Sequence, residues 1–149
     1  MLDNYEQLSK ALKYAQLAHK GQVDKAGVDY IFHPILVALQ CKCNAEKIAA
    51  LLHDAIEDGE GRVTVQDLEK DFDPEIIEAI KQLTHDKNVD YFDYLNNINS
   101  PIALKVKLAD LTMNMDLNRI SNIKEEDLLR LEKYKRAKEI VINKLKELE

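Results

Sequence analysis

The residues best placed to do chemistry in this chain are His33, the run His53-Asp54-Ala55-Ile56-Glu57-Asp58, and Asp110. The run closes the aliphatic stretch Ile48-Ala49-Ala50-Leu51-Leu52, and a histidine with three carboxylates in that place is hard to explain by packing. If one helix continues through it, His53 with Glu57, Asp54 with Glu57 and Asp54 with Asp58 all stand at separations that share a face. Adjacent His53 and Asp54 differ by only about 100° around the axis, so both can turn toward one ion. The plainer reading is a helix that leaves the core with a solvated acidic end. A helix C-terminus disfavours negative charge, however, so three acids there call for an outside cation. Asp110 follows Val106-Lys107-Leu108-Ala109, a lone acid where the pattern leads into the core. Burying an unpaired carboxylate is costly, and coordination to a metal removes that cost. Two imidazoles and two carboxylates form a mixed donor set that suits manganese, iron or zinc better than the all-oxygen sites of calcium and magnesium. Four protein ligands would leave room on the ion for water and a substrate oxygen, which is what metal-assisted hydrolysis requires.

Helices must position these groups. Asp3 with Glu6 fits a capping box, and Leu8, Ala11, Leu12, Ala15 and Ala18 form the apolar stripe of a first helix ending near His19. His19 there reads as a simple dipole partner. Residues 20–30 read as a loop, after which Pro34 starts a helix through Leu39 with His33 just outside its N-terminal end. Asn44 caps a helix from Ala45 to about Asp58, closed by Gly59 and Gly61. Thr64 with Asp67 opens a short helix, and Asp73-Pro74 another with Ile76, Ala79, Ile80 and Leu83 inward. Residues 88–97 are helical by pattern, with Tyr91, Phe92 and Tyr94 more easily read as core than as base-stacking groups. Ser100-Pro101 begins a helix to about Leu117, and Asn122 with Glu125 caps a terminal one whose apolar side runs from Leu131 to Leu148. His85 is expected at a solvated helix end. No stretch shows strand alternation, so the fold class is all-α: one domain over residues 1–149, a helical bundle of seven to eight helices.

The totals agree. A chain of 149 residues that is 46% hydrophobic and 32% charged is a globular chain long enough for its own core. A net charge of −6 argues against a general nucleic-acid binder, yet allows a small anionic ligand, because a bound divalent ion reverses the local sign. Nothing resembles a signal peptide or a membrane span. Cys41 and Cys43 stand too close for a usual disulfide and read as idle thiols of a reducing, cytoplasmic setting. Lys107, three residues before Asp110, reads either as a phosphate contact or as a surface lysine. The terminal helix reads as packed with a solvated charged side, or as the cover of a homo-oligomer interface.

His33, His53-Asp54 and Asp110, in this order and on helices, resemble the signature of the HD superfamily of metal-dependent phosphohydrolases. More narrowly, Gly21-Gln22, Gly27-Val28-Asp29-Tyr30-Ile31-Phe32-His33-Pro34, the run 53–58, and Lys107-Leu108-Ala109-Asp110 with Asn114 resemble its RelA/SpoT-type branch. That branch includes small stand-alone alarmone hydrolases, which remove pyrophosphate from the 3′ position of ppGpp. The resemblance covers about residues 5–120, leaving about 123–149 as a packing helix. It implies that His33, His53, Asp54 and Asp110 hold one ion, manganese in this branch. It also implies that Glu57 and Asp58 orient and deprotonate the attacking water, and that Asn114 hydrogen-bonds substrate near its ribose and phosphates. Lys25 matches a basic position of the loop before the His-Pro turn, and Tyr30 matches its aromatic.

Three positions depart from the branch. Asp24 stands where an arginine usually stacks on guanine, Leu111 where a basic residue often follows the Leu-Ala-Asp triplet, and Asp116 where arginine is frequent. Each removes a positive charge near the expected polyanion site, and aspartate cannot replace a guanidinium's planar fork. The reading is therefore a metal-dependent hydrolase of a phosphoester or pyrophosphate bond in a nucleotide, with (p)ppGpp as one substrate. Its alternatives are a phosphatase or pyrophosphohydrolase for a different nucleotide, and a catalytically silent metal- and nucleotide-binding module.

Overall fold

The computed structural model describes residues 4–118 and 120–149, so the Asp3 cap expected for the first helix lies outside the described residues. Among the described residues eight helices follow in order: α1 (Asn4–Ala18), α2 (Phe32–Leu39), α3 (Asn44–Leu52), α4 (Val65–Glu69), α5 (Pro74–Leu83), α6 (Tyr91–Asn96), α7 (Pro101–Asn114) and α8 (Glu125–Glu147). Among the described residues the only β pairing is one isolated bridge, Val23 with Asp29, so the all-α expectation holds. None of these helices is long and apolar enough to cross a membrane.

Two helices form the hub. α3 packs on α1, α2, α5 and α7, while α7 packs on α2, α3, α5 and α8. The reason is compositional: Ile48, Leu52, Leu104, Val106 and Leu111 leave almost no surface exposed, and helices apolar on several sides need neighbours on several sides. α7 is launched by Pro101, with Ser100 Oγ accepting the Ala103 N–H at 3.1 Å, a side-chain cap of the usual kind. Leu111, one of the three departures, is core, 1% exposed, and so has no bearing on a binding cleft.

Several boundaries differ from the expectations. α3 stops at Leu52, and residues 53–57 form consecutive turns that end in a bend at Asp58. The His53 Nδ1–H donates to the Ala50 carbonyl at 2.5 Å, taking an acceptor that a continuing helix would use. The Ala55 and Asp58 N–H groups then bond to the Leu52 and Asp54 carbonyls at 3.1 and 2.9 Å. Residues 53–58 therefore follow a tight loop instead of one continuing helix. His33 lies inside the first turn of α2 rather than before it, because Ile31 is already α-region and a proline in the first turn forfeits no intrahelical hydrogen bond. α6 and α7 are shorter than expected, and α8 is capped by Asp127, whose carboxylate accepts the Lys124 N–H at 2.9 Å, instead of by Asn122 with Glu125.

Gly59 closes the loop where no side chain fits. A Cβ there would collide with the Ala55 carbonyl and press on the Ala18 methyl. Gly59→Ala is expected to lower stability by about 1–3 kcal/mol, the usual range for overpacking, and to displace the loop. A thermal melt and a turnover assay read the two effects, and an unchanged melting temperature would show that the loop has slack.

Candidate active site

α3 delivers His53 and Asp54 at its C-terminal end, α2 delivers His33 from its first turn, and α7 delivers Asp110 from its third turn. Because these helices surround one another, four donor atoms converge. His33 Nε2 lies 2.8 Å from Asp110 Oδ1, and His53 Nε2 lies 3.3 Å from the same oxygen and 3.0 Å from Asp54 Oδ2. The side chains are 13%, 3%, 17% and 7% exposed for His33, His53, Asp54 and Asp110. His33, His53 and Asp54 also meet the spacing of a common metal site.

The hydrogen bonding supports a cation here. His53 spends its Nδ1–H on Ala50, which leaves Nε2 as a bare lone pair in the neutral ring. That nitrogen is buried without a hydrogen-bond partner and faces two carboxylates. Lone pairs of nitrogen and oxygen about 3 Å apart repel unless a positive charge lies between them, and ligand bonds of about 2.1 Å produce such spacings. Without an ion the cluster answers in its proton equilibria. Burial alone would depress the His53 pKa, yet Asp54 and Asp110 carry it well above the ordinary range. Asp110, although burial opposes its ionisation, is held well below the usual carboxylate range by Lys107, His53 and His33.

Outer contacts fix these donors, as metal ligands require. The Tyr30 hydroxyl donates to Asp54 Oδ2 at 2.5 Å, and the Asn114 amide donates to Asp110 Oδ1 at 3.1 Å. Lys107 Nζ donates to Asp110 Oδ2 at 3.2 Å. Tyr30 and Lys107, read from sequence as substrate contacts, therefore also hold donors of the cluster.

Two cavities meet at this point. The deeper, about 250 Å³, is lined by Asp54, Glu57, His85, Tyr91, Lys107, Asp110 and Lys133 among others. The shallower, about 390 Å³, is lined by Asp24, Lys25, His33, Met113, Asp116 and Arg130 among others. Tyr30, Asn114 and Tyr134 line both, so the two cavities adjoin as lobes on either side of these residues, with Asp54 and Asp110 on one and His33 on the other. A larger cavity of about 680 Å³, lined by Cys41, Glu46, Leu108 and Leu148 among others, opens elsewhere and contains none of these residues.

Glu57 accepts the His85 N–H at 2.7 Å, and burial, with Asp58 and Asp54 nearby, raises its pKa against that bond. Asp58 stands one residue beyond the lining of the deep lobe, its pKa raised by burial and then by Asp54. The Tyr91 hydroxyl is buried and makes no hydrogen bond of good geometry.

Sequence reasoning missed four residues here. His85 is not a solvated helix end: its ring packs 4.6 Å from that of Tyr94, and its backbone holds Glu57. Arg130, Lys133 and Tyr134 lie on α8, expected to be a packing helix with a solvated charged side. Their spacing, three and four apart on one face, was the available signal, but only the α7–α8 packing shows that this face looks into the cleft. Lys25 approaches the same helix, 3.7 Å from Asp127, and Arg130 donates to that carboxylate at 2.5 Å.

The departing aspartates are also accounted for. Asp24 Oδ1 accepts the Ala26 and Val28 N–H groups at 2.8 and 3.0 Å, and Asp116 Oδ1 accepts the Asn118 N–H at 2.9 Å. Both carboxylates shape their own loops.

An all-helical scaffold carrying two histidines and two aspartates in this ordered cluster defines a class of protein. The chain belongs to the HD domain family, whose model matches residues 11–117. It is 41% identical over 89 residues to a guanosine-3′,5′-bis(diphosphate) 3′-pyrophosphohydrolase of Borreliella burgdorferi, covering 55% of this chain and 13% of the relative. It is 33% identical over 129 residues to the bifunctional (p)ppGpp synthase/hydrolase SpoT of Escherichia coli, covering 76% of this chain and 18% of the relative. The chain thus spans less than a fifth of the length of these curated relatives. A solved structure of a metazoan ortholog of SpoT that hydrolyzes ppGpp superposes with a TM-score of 0.73 at 25% identity, covering 93% of this chain and 85% of that one.

Proposed function

We propose that this chain is a metal-dependent pyrophosphohydrolase that removes the 3′-pyrophosphate of (p)ppGpp. The observation that carries the reading is the bare, buried His53 Nε2 facing Asp54 and Asp110, two carboxylates that line a cavity. The relatives named for this reaction support the substrate. His33, His53, Asp54 and Asp110 would hold a divalent ion, manganese by the family resemblance, with iron and zinc also compatible with the donors. When bound, the ion supplies Lewis-acid polarisation and neutralises charge on the phosphoryl group.

The protein groups do the rest. Glu57, at the wall of the deep lobe and raised in pKa, takes the proton of the attacking water, and Asp58 orients that water from the loop's end. Lys107, Lys133 and the Tyr91 hydroxyl receive the phosphate charge in the deep lobe. Asn114, shared by both lobes, meets the ribose. Arg130, Lys25 and Tyr134 receive the remaining phosphates and base in the shallow lobe. Arg130 thereby brings from α8 the guanidinium that Asp24 does not offer from the loop, which favours a polyanionic nucleotide over a substrate with one phosphate.

The test is product release by metal-stripped protein, with and without added Mn²⁺, over ppGpp, GTP, ATP and NADPH. Manganese-dependent pyrophosphate release from ppGpp is expected. Turnover of another member alone would keep the mechanism and replace the substrate, while metal binding without turnover of any would favour the silent binding module.

A further inference from the structure

His19 is a buried titratable group that this mechanism does not use. It was expected to be a simple dipole partner near the end of the first helix, and it is 3% exposed, because Tyr30 packs across it with ring centroids 4.8 Å apart. Its partners determine its tautomer. Gln22 Nε2 donates to two carbonyls, that of Asp58 at 2.7 Å and that of Ala18 at 3.4 Å, which orients the amide with Oε1 toward His19. That oxygen lies 2.9 Å from His19 Nδ1, so Nδ1 carries the hydrogen and donates it. Nε2 is then bare, and it has no hydrogen-bond partner.

The result is a strut. It runs from the end of α1 through His19 and Gln22 to the Asp58 carbonyl, at the far end of the loop that carries Asp54, Glu57 and Asp58. A second branch runs through the Tyr30 ring to the hydroxyl that holds Asp54. The tight seat of Gly59 on Ala18 brings the loop and α1 together at the same place, and the Gln22 amide there donates to the Asp58 carbonyl. We propose that His19 is a positioning residue that, with Gln22, holds residues 54–59 in the geometry the reaction needs.

The kinetic part rests on the hydrolase reading; the structural part does not. His19→Leu and Gln22→Leu are each expected to lower kcat about 10- to 100-fold, as losses of outer partners do, with KM within about threefold. The double variant should be no worse than the poorer single one, since both break one strut. His19→Asn places an amide N–H where Nδ1–H was and should recover most of kcat. His19→Gln places its amide nearer the Nε2 position and should not. Unchanged kcat in the leucine variants, additive losses, or rescue by glutamine in place of asparagine would overturn the proposal. If His19→Leu does not fold, the half-buried Gln22→Leu carries the test alone. If the wild type turns over no nucleotide, the hydrolase reading fails and amide hydrogen exchange decides the strut. Faster exchange across residues 54–59 with α8 unchanged supports it, and unchanged exchange in that loop overturns it.

Discussion

Asp110→Ala protein is expected to lose its stoichiometric divalent metal and, with it, on the order of 10³-fold in turnover, the rate equivalent of several kcal/mol of charge stabilisation. Elemental analysis after dialysis reads the first effect and pyrophosphate release the second. Asp110 is the point of greatest leverage because one carboxylate serves four partners. Its Oδ1 lies 2.8 Å from His33, 3.3 Å from His53 and 3.1 Å from Asn114, and its Oδ2 lies 3.2 Å from Lys107. The change therefore also leaves Lys107, 12% exposed at its side chain, as a buried cation without its carboxylate. Breaking a buried pair from one side costs about 3–5 kcal/mol, so the melting temperature should fall. Asp54→Ala separates the effects: it removes a donor but leaves the Lys107 pair intact, so metal loss should come with the smaller destabilisation. Full metal retention in both variants would remove these residues from the ligand set.

Glu57→Gln is expected to keep the metal and lose turnover by about 10²- to 10⁴-fold, the usual worth of a positioned general base. The amide retains the shape and can still accept the His85 N–H, so folding is little disturbed. The pH dependence follows from the direction of the Glu57 shift. A base works deprotonated, and burial raises this pKa, so the acid-side loss of kcat/KM should lie above the ordinary glutamate range. A limb at or below that range would point to a different carboxylate. Stability runs the other way. The folded state binds the Glu57 proton more tightly than the unfolded chain, so stability falls as pH rises from the unfolded pKa to the folded one. Glu57→Gln should flatten that part of the profile, which chemical denaturation across the pH range would record.

The pattern of apolar residues and caps carried most of the helical order, since α1, α4, α5 and α7 each advertise an apolar stripe or a capping residue in neighbouring positions. The donors of the cluster were legible for a different reason. A histidine or acid at the edge of an aliphatic run is a local contradiction, and it can be seen without knowing what lies opposite. The end of α3 was not legible, because His53 stops the helix with its own side chain, a choice that depends on where its ring must point once α2 and α7 are in place. The roles of His19, His85, Arg130, Lys133 and Tyr134 were hidden for the same reason. Each sits on a stretch whose local sequence describes an ordinary helix face, polar or packed, or a helix end. What makes a histidine buried or a lysine cleft-lining is the neighbour that folding brings against it, and that is a property of packing. Sequence by itself therefore determined the class of chemistry and the all-helical scaffold, both written in short-range patterns of residue type. Tertiary structure alone decided which charges face the cleft, because desolvation and partner geometry exist only after α3, α7 and α8 have come together.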